Sequence, residues 1–256
     1  MVLTIDIGNT HIVLGAFDGD KIVFTSRIKT DHEKTEFEYA SVIKSIVELY
    51  GFDSGYITGA VMSCVVPPLV NTLKIAVKLC FDVETIVVGP GIKTGIMLKC
   101  DAPGQVGADL ICACVAAHEL YNEATIIIDM GTVTKILLID EDGVFSGAIF
   151  APGVGMGINA LASGTAQLPK IGLDAPDSVV GTNTTDCMKS GVVYGNASMV
   201  DGLLDRIIEE KGDNWRIVAT GGMSKVIIPL CRRKIELDDT LLLKGLKAIY
   251  DKNKKL

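Results

Sequence analysis

The chain is poor in positive charge and has no long apolar run, and each shortage excludes a class of function. Lys and Arg number 24 against 31 Asp and Glu among 256 residues, which gives a net charge of -7. Nucleic acids and anionic membranes attract clustered Lys and Arg, so neither is expected as a partner. No apolar run reaches the roughly 18 residues that a membrane-spanning helix needs. The mainly apolar stretch at residues 2–5 ends at Asp6 and is too short for a signal peptide, so no signal peptide is expected.

Motifs of metal and redox sites are missing as well. The seven cysteines are scattered and form no C-x-x-C pair, and the three histidines, His11, His32 and His118, have no metal-binding spacing. Cys112 and Cys114 lie in an apolar stretch. We interpret them as small apolar side chains in the core of a reduced, cytoplasmic protein.

The chain does have apolar residues in strand and helix patterns. Hydrophobic residues make up 48% of it, enough for one large domain or for two of about 100–150 residues. The patterns predict strands at 2–5, 12–17, 21–24, 57–66, 84–88, 124–128, 136–139 and 216–219, and helices at 33–50, 106–121, 154–165, 184–210 and 239–252.

The order of these elements restarts halfway along the chain. A strand, the motif D-I-G-N-T (6–10), a second strand and a D-G turn open the sequence, and the same order returns around D-M-G-T (129–132). Such a repeat indicates two similar α/β domains. We expect one domain at 1–120 and the other at 121–256, packed closely with a cleft between them.

The first repeated motif has two interpretations. Asp6 follows an apolar strand, Gly8 lets the backbone approach a ligand, and Asn9 and Thr10 add short polar side chains. Such a turn can donate hydrogen bonds to phosphate oxygens while the carboxylate holds Mg²⁺. An ordinary hairpin turn would use the same residues. The return of the motif as D-M-G-T favours phosphate binding, because a cleft-type ATPase or sugar kinase uses two such turns.

Other candidate residues lie where helices begin. Asp109 follows Gly107 and Ala108 at the start of an apolar helix. It is either a helix-start acid, stabilised by about 0.3–1 kcal/mol, or a base that takes a proton from a substrate hydroxyl. From this feature alone the helix-start interpretation is favoured. Thr184 either caps a long helix or contacts a ligand.

Two glycine-rich segments are also ambiguous. Gly221 and Gly222 follow a strand, so they form either a turn or a surface for a nucleotide base. The segment A-P-G-V-G-M-G (151–157) suggests a dinucleotide loop, but Ile158 stands where that motif needs Gly or Ala. A dinucleotide-binding fold is therefore not expected.

Taken together, these motifs resemble the type III pantothenate kinase family of the actin-like and sugar-kinase superfamily. The resemblance covers essentially the whole chain and includes D-I-G-N-T (6–10), S-C-V-V-P-P (63–68), V-V-G-P-G-I-K-T-G (87–95), V-G-A-D (106–109), D-M-G-T (129–132), A-P-G (151–153), L-P-K (168–170), G-T-N-T (181–184), S-G-V-V-Y-G (190–195), V-D-G-L (200–203) and A-T-G-G (219–222). It implies an α/β fold of two similar ribonuclease-H-like (actin-like ATPase) domains with an interdomain cleft. The implied reaction is ATP-dependent phosphorylation of pantothenate, the first step towards coenzyme A, by a homodimer that uses Mg²⁺ and K⁺ or NH₄⁺.

The resemblance also implies roles for single residues. Asp109 would be the base that faces the pantothenate hydroxyl. Asp6 would hold Mg²⁺, and Asp129 would hold the monovalent cation. ATP and its phosphates would be bound by Asp6, Gly8, Asn9, Thr10, Thr132, Gly221 and Gly222. Pantothenate would be bound by Cys100, Gly107, Ala108, Leu110 and Thr184.

Three positions depart from the family pattern. Leu110 replaces an arginine of G-A-D-R, and Cys100 replaces a common tyrosine, both on the pantothenate side. Lys135 stands in D-M-G-T-V-T-K where the family has D-F-G-T-A-T-T. We slightly favour a solvated lysine at a strand end. The alternative is that its ammonium partly replaces the monovalent cation.

Three functions therefore stay open. The first is an active pantothenate kinase with a modified acceptor pocket, weakened by the loss of a charge-assisted contact worth about 1.5–3 kcal/mol. The second is a kinase for a less anionic acceptor such as pantetheine. The third is a catalytically impaired nucleotide-binding regulator, against which the retained Asp109 argues.

Overall fold

The computed structural model describes residues 1–163 and 171–254. They form two compact units, Met1–Leu120 with the C-terminal segment from Thr240, and Tyr121–Asp239. The expected domains differ from these units only in the C-terminal segment, which the sequence prediction assigned to the second domain. The L-P-K motif at 168–170 lies outside the described residues.

The elements are, in chain order, β1 (Val2–Ile7), β2 (His11–Asp18), β3 (Lys21–Lys29), α1 (Glu36–Leu49), β4 (Gly59–Cys64), α2 (Leu69–Phe81), β5 (Thr85–Val87), β6 (Met97–Leu98), α3 (Ala108–Tyr121), β7 (Thr125–Met130), β8 (Val133–Ile139), β9 (Val144–Pro152), α4 (Val154–Ser163), α5 (Thr184–Lys211), β10 (Arg216–Thr220), α6 (Ser224–Ile227), β11 (Glu236–Leu237) and α7 (Leu241–Asn253). Among the described residues, none of these helices combines the length and apolar character of a membrane span.

The two units repeat one sheet topology. The first unit has the strand order β3-β2-β1-β4-β5, and the five strands that belong to the second unit have the order β9-β8-β7-β10-β11. In each unit, the first three strands pair antiparallel. The first strand also pairs in parallel with a later strand: β1 pairs with β4, which follows α1, and β7 pairs with β10, which follows α5. The repeat read from the sequence is therefore confirmed, and β1 and β7 occupy equivalent central places.

The C-terminal helix α7 packs on the first unit because glycines make room for it. A Cβ on Gly245 would stand 1.9 Å from the carbonyl oxygen of Cys112 in α3, and one on Gly59 would stand 2.0 Å from the Tyr250 hydroxyl. The apolar side of α7, with Leu243, Leu246 and Ile249, belongs to the same buried cluster as Cys112.

Helix α1 begins later than predicted. Thr35 caps it, and its hydroxyl and Glu38 form a reciprocal capping box. The sequence pattern placed the start of this helix at residue 33. Thr30, which precedes it, donates its hydroxyl to the Gly8 carbonyl oxygen, at 2.6 Å.

Candidate active site

The first candidate turn follows β1 and is anchored at both ends. Asp6 lies directly beside Ser63 of β4, and the Ser63 hydroxyl donates to Asp6 Oδ1 at 2.5 Å. The Gly8 amide donates to the His11 carbonyl oxygen at 3.0 Å, and the Thr30 hydroxyl holds the Gly8 carbonyl from the other side. The turn is therefore fixed by hydrogen bonds to its backbone.

The side chains of this turn are open to solvent. Asn9 and Thr10 are exposed, whereas Asp6 is partly buried. Phosphate binding by a turn needs accessible short polar groups beside a fixed backbone. The first turn has this arrangement, and its contact with phosphate stays a prediction.

Asp109 lies in the first turn of α3, where the helix dipole favours a negative charge. Gly107 makes room for the carboxylate, because a Cβ there would stand 2.5 Å from Asp109 Oδ1. Cys112, one turn further, is fully buried. Its burial and the carboxylates of Asp6 and Asp109 raise the pKa of its thiol well above the usual range, opposed by a hydrogen bond with Ser63. Asp6, Asp109 and Cys112 all belong to the first unit.

The residues expected at the pantothenate site have mixed exposure. Leu110 is buried, at 7% exposure, and Ala108 packs against the cluster that holds Cys112. Cys100 is half-buried with a free thiol. Thr184 is exposed as the first residue of α5, after the capping residue Asn183. Contact of these side chains with pantothenate stays a prediction.

The second candidate turn joins β7 to β8 and has a lysine beside its aspartate. Asp129 and Lys135 are direct partners across the two strands, and Lys135 Nζ lies 2.9 Å from Asp129 Oδ2. Their side chains are only 10% and 18% exposed. The interpretation of Lys135 as a solvated lysine at a strand end is therefore wrong.

Two glycines lie in close contact with the backbone of the second turn. A Cβ on Gly153 would stand 2.1 Å from the Thr132 carbonyl oxygen, and one on Gly221, whose φ is +92°, would stand 2.6 Å from the Met130 carbonyl carbon. Only glycine adopts such a φ without strain. Thr132 and Gly222 are exposed. The A-P-G and A-T-G-G motifs thus shape the turn that carries Asp129 and Thr132.

Sequence reasoning missed the roles of Ser63 and Thr30. Both act on the first turn from distant positions, Ser63 through β4 and Thr30 through the segment after β3. Ser63 stands first in S-C-V-V-P-P, which was used only as a mark of resemblance. Because its partner is fixed by the parallel pairing of β1 with β4, the motif alone does not reveal its function.

The acids fit the two implied cations differently. Within residues 1–163 and 171–254, no three His, Cys, Asp or Glu side chains group as a metal site. Mg²⁺ in kinases is held by one or two carboxylates together with substrate phosphates, and Asp6 fits that pattern. Asp129 does not fit a monovalent cation equally well, because its Oδ2 already accepts a bond from an ammonium.

Comparisons with known proteins identify the family of the chain. A profile of the type III pantothenate kinase family matches residues 2–206. The type III pantothenate kinase of Syntrophobacter fumaroxidans is 40% identical, over 100% of this chain and 99% of that protein. That of Halalkalibacterium halodurans is 42% identical, over 99% of this chain and 100% of that protein.

A solved structure supports the fold. Component A of the Acidaminococcus fermentans (R)-2-hydroxyglutaryl-CoA dehydratase has a TM-score of 0.59 at 15% identity, covering 99% of this chain and 98% of that one. The predicted α/β fold class of similar actin-like domains is confirmed. The profile and the full-length relatives together show that the chain belongs to the type III pantothenate kinase family.

Proposed function

We propose that the protein transfers the γ-phosphate of ATP to the primary hydroxyl of pantothenate, giving 4'-phosphopantothenate. Family membership supports this reaction. The observation that carries it is the match to this family along the full chain, together with the exposed turn at Asn9 and Thr10, whose neighbouring Asp6 is held by Ser63. The proposed Mg²⁺-holding acid Asp6 and the proposed base Asp109 belong to the same unit.

Each acid has a proposed role. Phosphoryl transfer asks the protein mainly for positioning and charge stabilisation. Asp109 orients the acceptor hydroxyl and accepts its proton. Asp6 would hold Mg²⁺, which would supply positive charge beside the phosphates. The backbone at Gly8, with Asn9 and Thr10, is proposed to contact ATP phosphates.

The second unit supplies further proposed contacts to ATP. Thr132 is exposed on a turn closely approached by Gly153 and Gly221, and it is proposed to contact ATP. Gly221 and Gly222 are proposed to let the nucleotide approach bare backbone. Thr184 is proposed to contact pantothenate.

The acceptor site is altered, which supports pantetheine as a second candidate acceptor. Leu110 is buried and apolar, so it cannot pair with the pantothenate carboxylate as an arginine does. Losing such a contact costs about 1.5–3 kcal/mol, or roughly tenfold to a hundredfold in affinity. Pantetheine lacks that carboxylate, so leucine in place of the arginine should lower the affinity for pantetheine less than the affinity for pantothenate.

We also propose a homodimer that works in the cytoplasm without nucleic acid or membrane partners. The second unit exposes several large apolar side chains, including Phe150, Val179 and Val180, which would be covered in a dimer. Light scattering after size-exclusion chromatography tests the dimer, and a monomer at micromolar concentration would contradict it.

The decisive experiment is ADP release with ATP and Mg²⁺ and pantothenate, pantetheine or no acceptor. Asp109→Asn should lower kcat by at least about a hundredfold, since a positioned base contributes at least that much. It should leave ATP binding intact. Asp53→Asn is the matched control, because Asp53 is exposed in the same unit and its side chain caps nothing.

A second variant tests the acceptor. Leu110→Arg should lower KM for pantothenate but not for pantetheine. ATP binding without acceptor-dependent ADP release would instead indicate the nucleotide-binding regulator.

A further inference from the structure

The two central carboxylates of the repeated sheets have different cross-strand neighbours. Asp6 in β1 lies opposite Val13 of β2, whereas the equivalent Asp129 in β7 lies opposite Lys135 of β8. On the parallel strand at the other side of each aspartate, Ser63 of β4 donates a hydrogen bond from its neutral hydroxyl to Asp6, and Thr220 of β10 lies beside Asp129. The repeat therefore places an ammonium at one carboxylate and an apolar side chain at the other.

The ammonium of Lys135 is held at Asp129 by the strand register. Directly opposite residues of an antiparallel pair project to the same face with Cβ atoms about 4.5–5.5 Å apart. Lys135 Nζ lies 2.9 Å from Asp129 Oδ2, and both side chains are largely buried. Slipping the strands out of register would break this largely buried ion pair, which is strongly unfavourable.

A lysine ammonium and a hydrated monovalent cation offer Asp129 the same single charge. The ammonium is a compact point charge with three donors, and it is tethered, so no ion must be taken from solution. A free cation binding to Oδ2 would have to displace it.

We propose that Lys135 supplies the positive charge at Asp129 that K⁺ or NH₄⁺ would otherwise supply, so that phosphoryl transfer by this protein does not require a monovalent cation. This inference rests on the proposed function. It concerns the cation requirement alone and leaves the acceptor open.

The activity test compares KCl, NH₄Cl and tetramethylammonium chloride at equal ionic strength. Wild-type turnover should change by less than about twofold among the three salts. Lys135→Thr, which restores the family residue, should lose at least about tenfold activity in tetramethylammonium chloride, the effect of one charge-assisted contact. K⁺ or NH₄⁺ should restore it. Lys135→Arg should remain independent of the salt.

A second readout does not depend on turnover. The thermal unfolding midpoint of Lys135→Thr should rise in KCl relative to tetramethylammonium chloride, and the wild-type midpoint should not. Lys211→Thr is the matched control, because Lys211 is an exposed lysine of the same unit, and it should behave as wild type.

The outcomes separate the two proposals. Wild-type turnover that rises tenfold or more with K⁺ overturns the inference while leaving the kinase function standing. No acceptor-dependent turnover in any salt contradicts the function. In that case a K⁺-dependent midpoint in Lys135→Thr alone still supports the cation replacement, and equal midpoints in both salts overturn it.

Discussion

At the residue scale, the cysteines differ sharply in exposure. Cys187 is exposed, whereas Cys112 and Cys114 are buried. Burial raises the pKa of both buried thiols, and it raises the pKa of Cys231 to about 12.

Because the thiolate is the reactive form, iodoacetamide at pH 8 should modify Cys187 first and leave Cys112 and Cys114 unmodified until the chain unfolds. Peptide mass spectrometry reads this order, and Cys187→Ser should remove the earliest product. Rapid native labelling of Cys112 would contradict the buried environment.

Ser63 is a positioning residue for Asp6. Ser63→Ala removes the hydroxyl that donates to Asp6 Oδ1, a hydrogen bond to a charged group worth about 1.5–3 kcal/mol. We expect the Mg²⁺ concentration for half-maximal activity to rise about tenfold or more, with KM for the acceptor unchanged. Ser41→Ala is the control, because the exposed Ser41 hydroxyl bonds only within α1. A uniform loss of kcat with unchanged Mg²⁺ dependence would show that Ser63 does not position the metal-binding acid.

At the element scale, the packing of α7 depends on one helical glycine. Gly245→Ala brings a Cβ to within 1.9 Å of the Cys112 carbonyl oxygen, so α3 and α7 must separate. Overpacking of this kind costs about 1–3 kcal/mol. Gly202→Ala in α5 meets no atom within 4 Å and should stabilise the helix by about 0.5–1 kcal/mol. Urea unfolding measures both changes, and equal free energies of unfolding for the two variants would contradict the close approach.

The sequence predicted the type and order of most elements, because the strands and helices have clear apolar periods. It also found the D-x-G turns, whose short polar residues are characteristic. It could not assign Lys135 to Asp129, since that pair depends on the register of β7 with β8. The two-residue strands β6 and β11 were not predicted, because so short a segment has no period. What the sequence could not supply was contact between distant elements.

At the scale of the whole molecule, chain order and unit membership differ. Helix α7 is last in the sequence but belongs to the first unit, where Leu243 and Leu246 join the cluster of Val61 and Cys112. The second unit has a separate core that includes Ile128 and Leu204. The repeated order of elements along the chain therefore reveals the repeat. It does not reveal to which unit the last helix belongs.

Separate cores predict separate unfolding transitions, and the single tryptophan can report one of them. Trp215 packs against the core of the second unit. Leu246→Ala empties part of the first core and should cost about 2–5 kcal/mol. Its circular dichroism transition should move to lower urea while the Trp215 fluorescence midpoint stays constant. The matched variant Leu204→Ala, equally buried in the second unit, should lower the fluorescence midpoint. If Leu246→Ala lowered that midpoint as much as Leu204→Ala does, the two units would unfold as one cooperative body, and α7 would stabilise the whole chain.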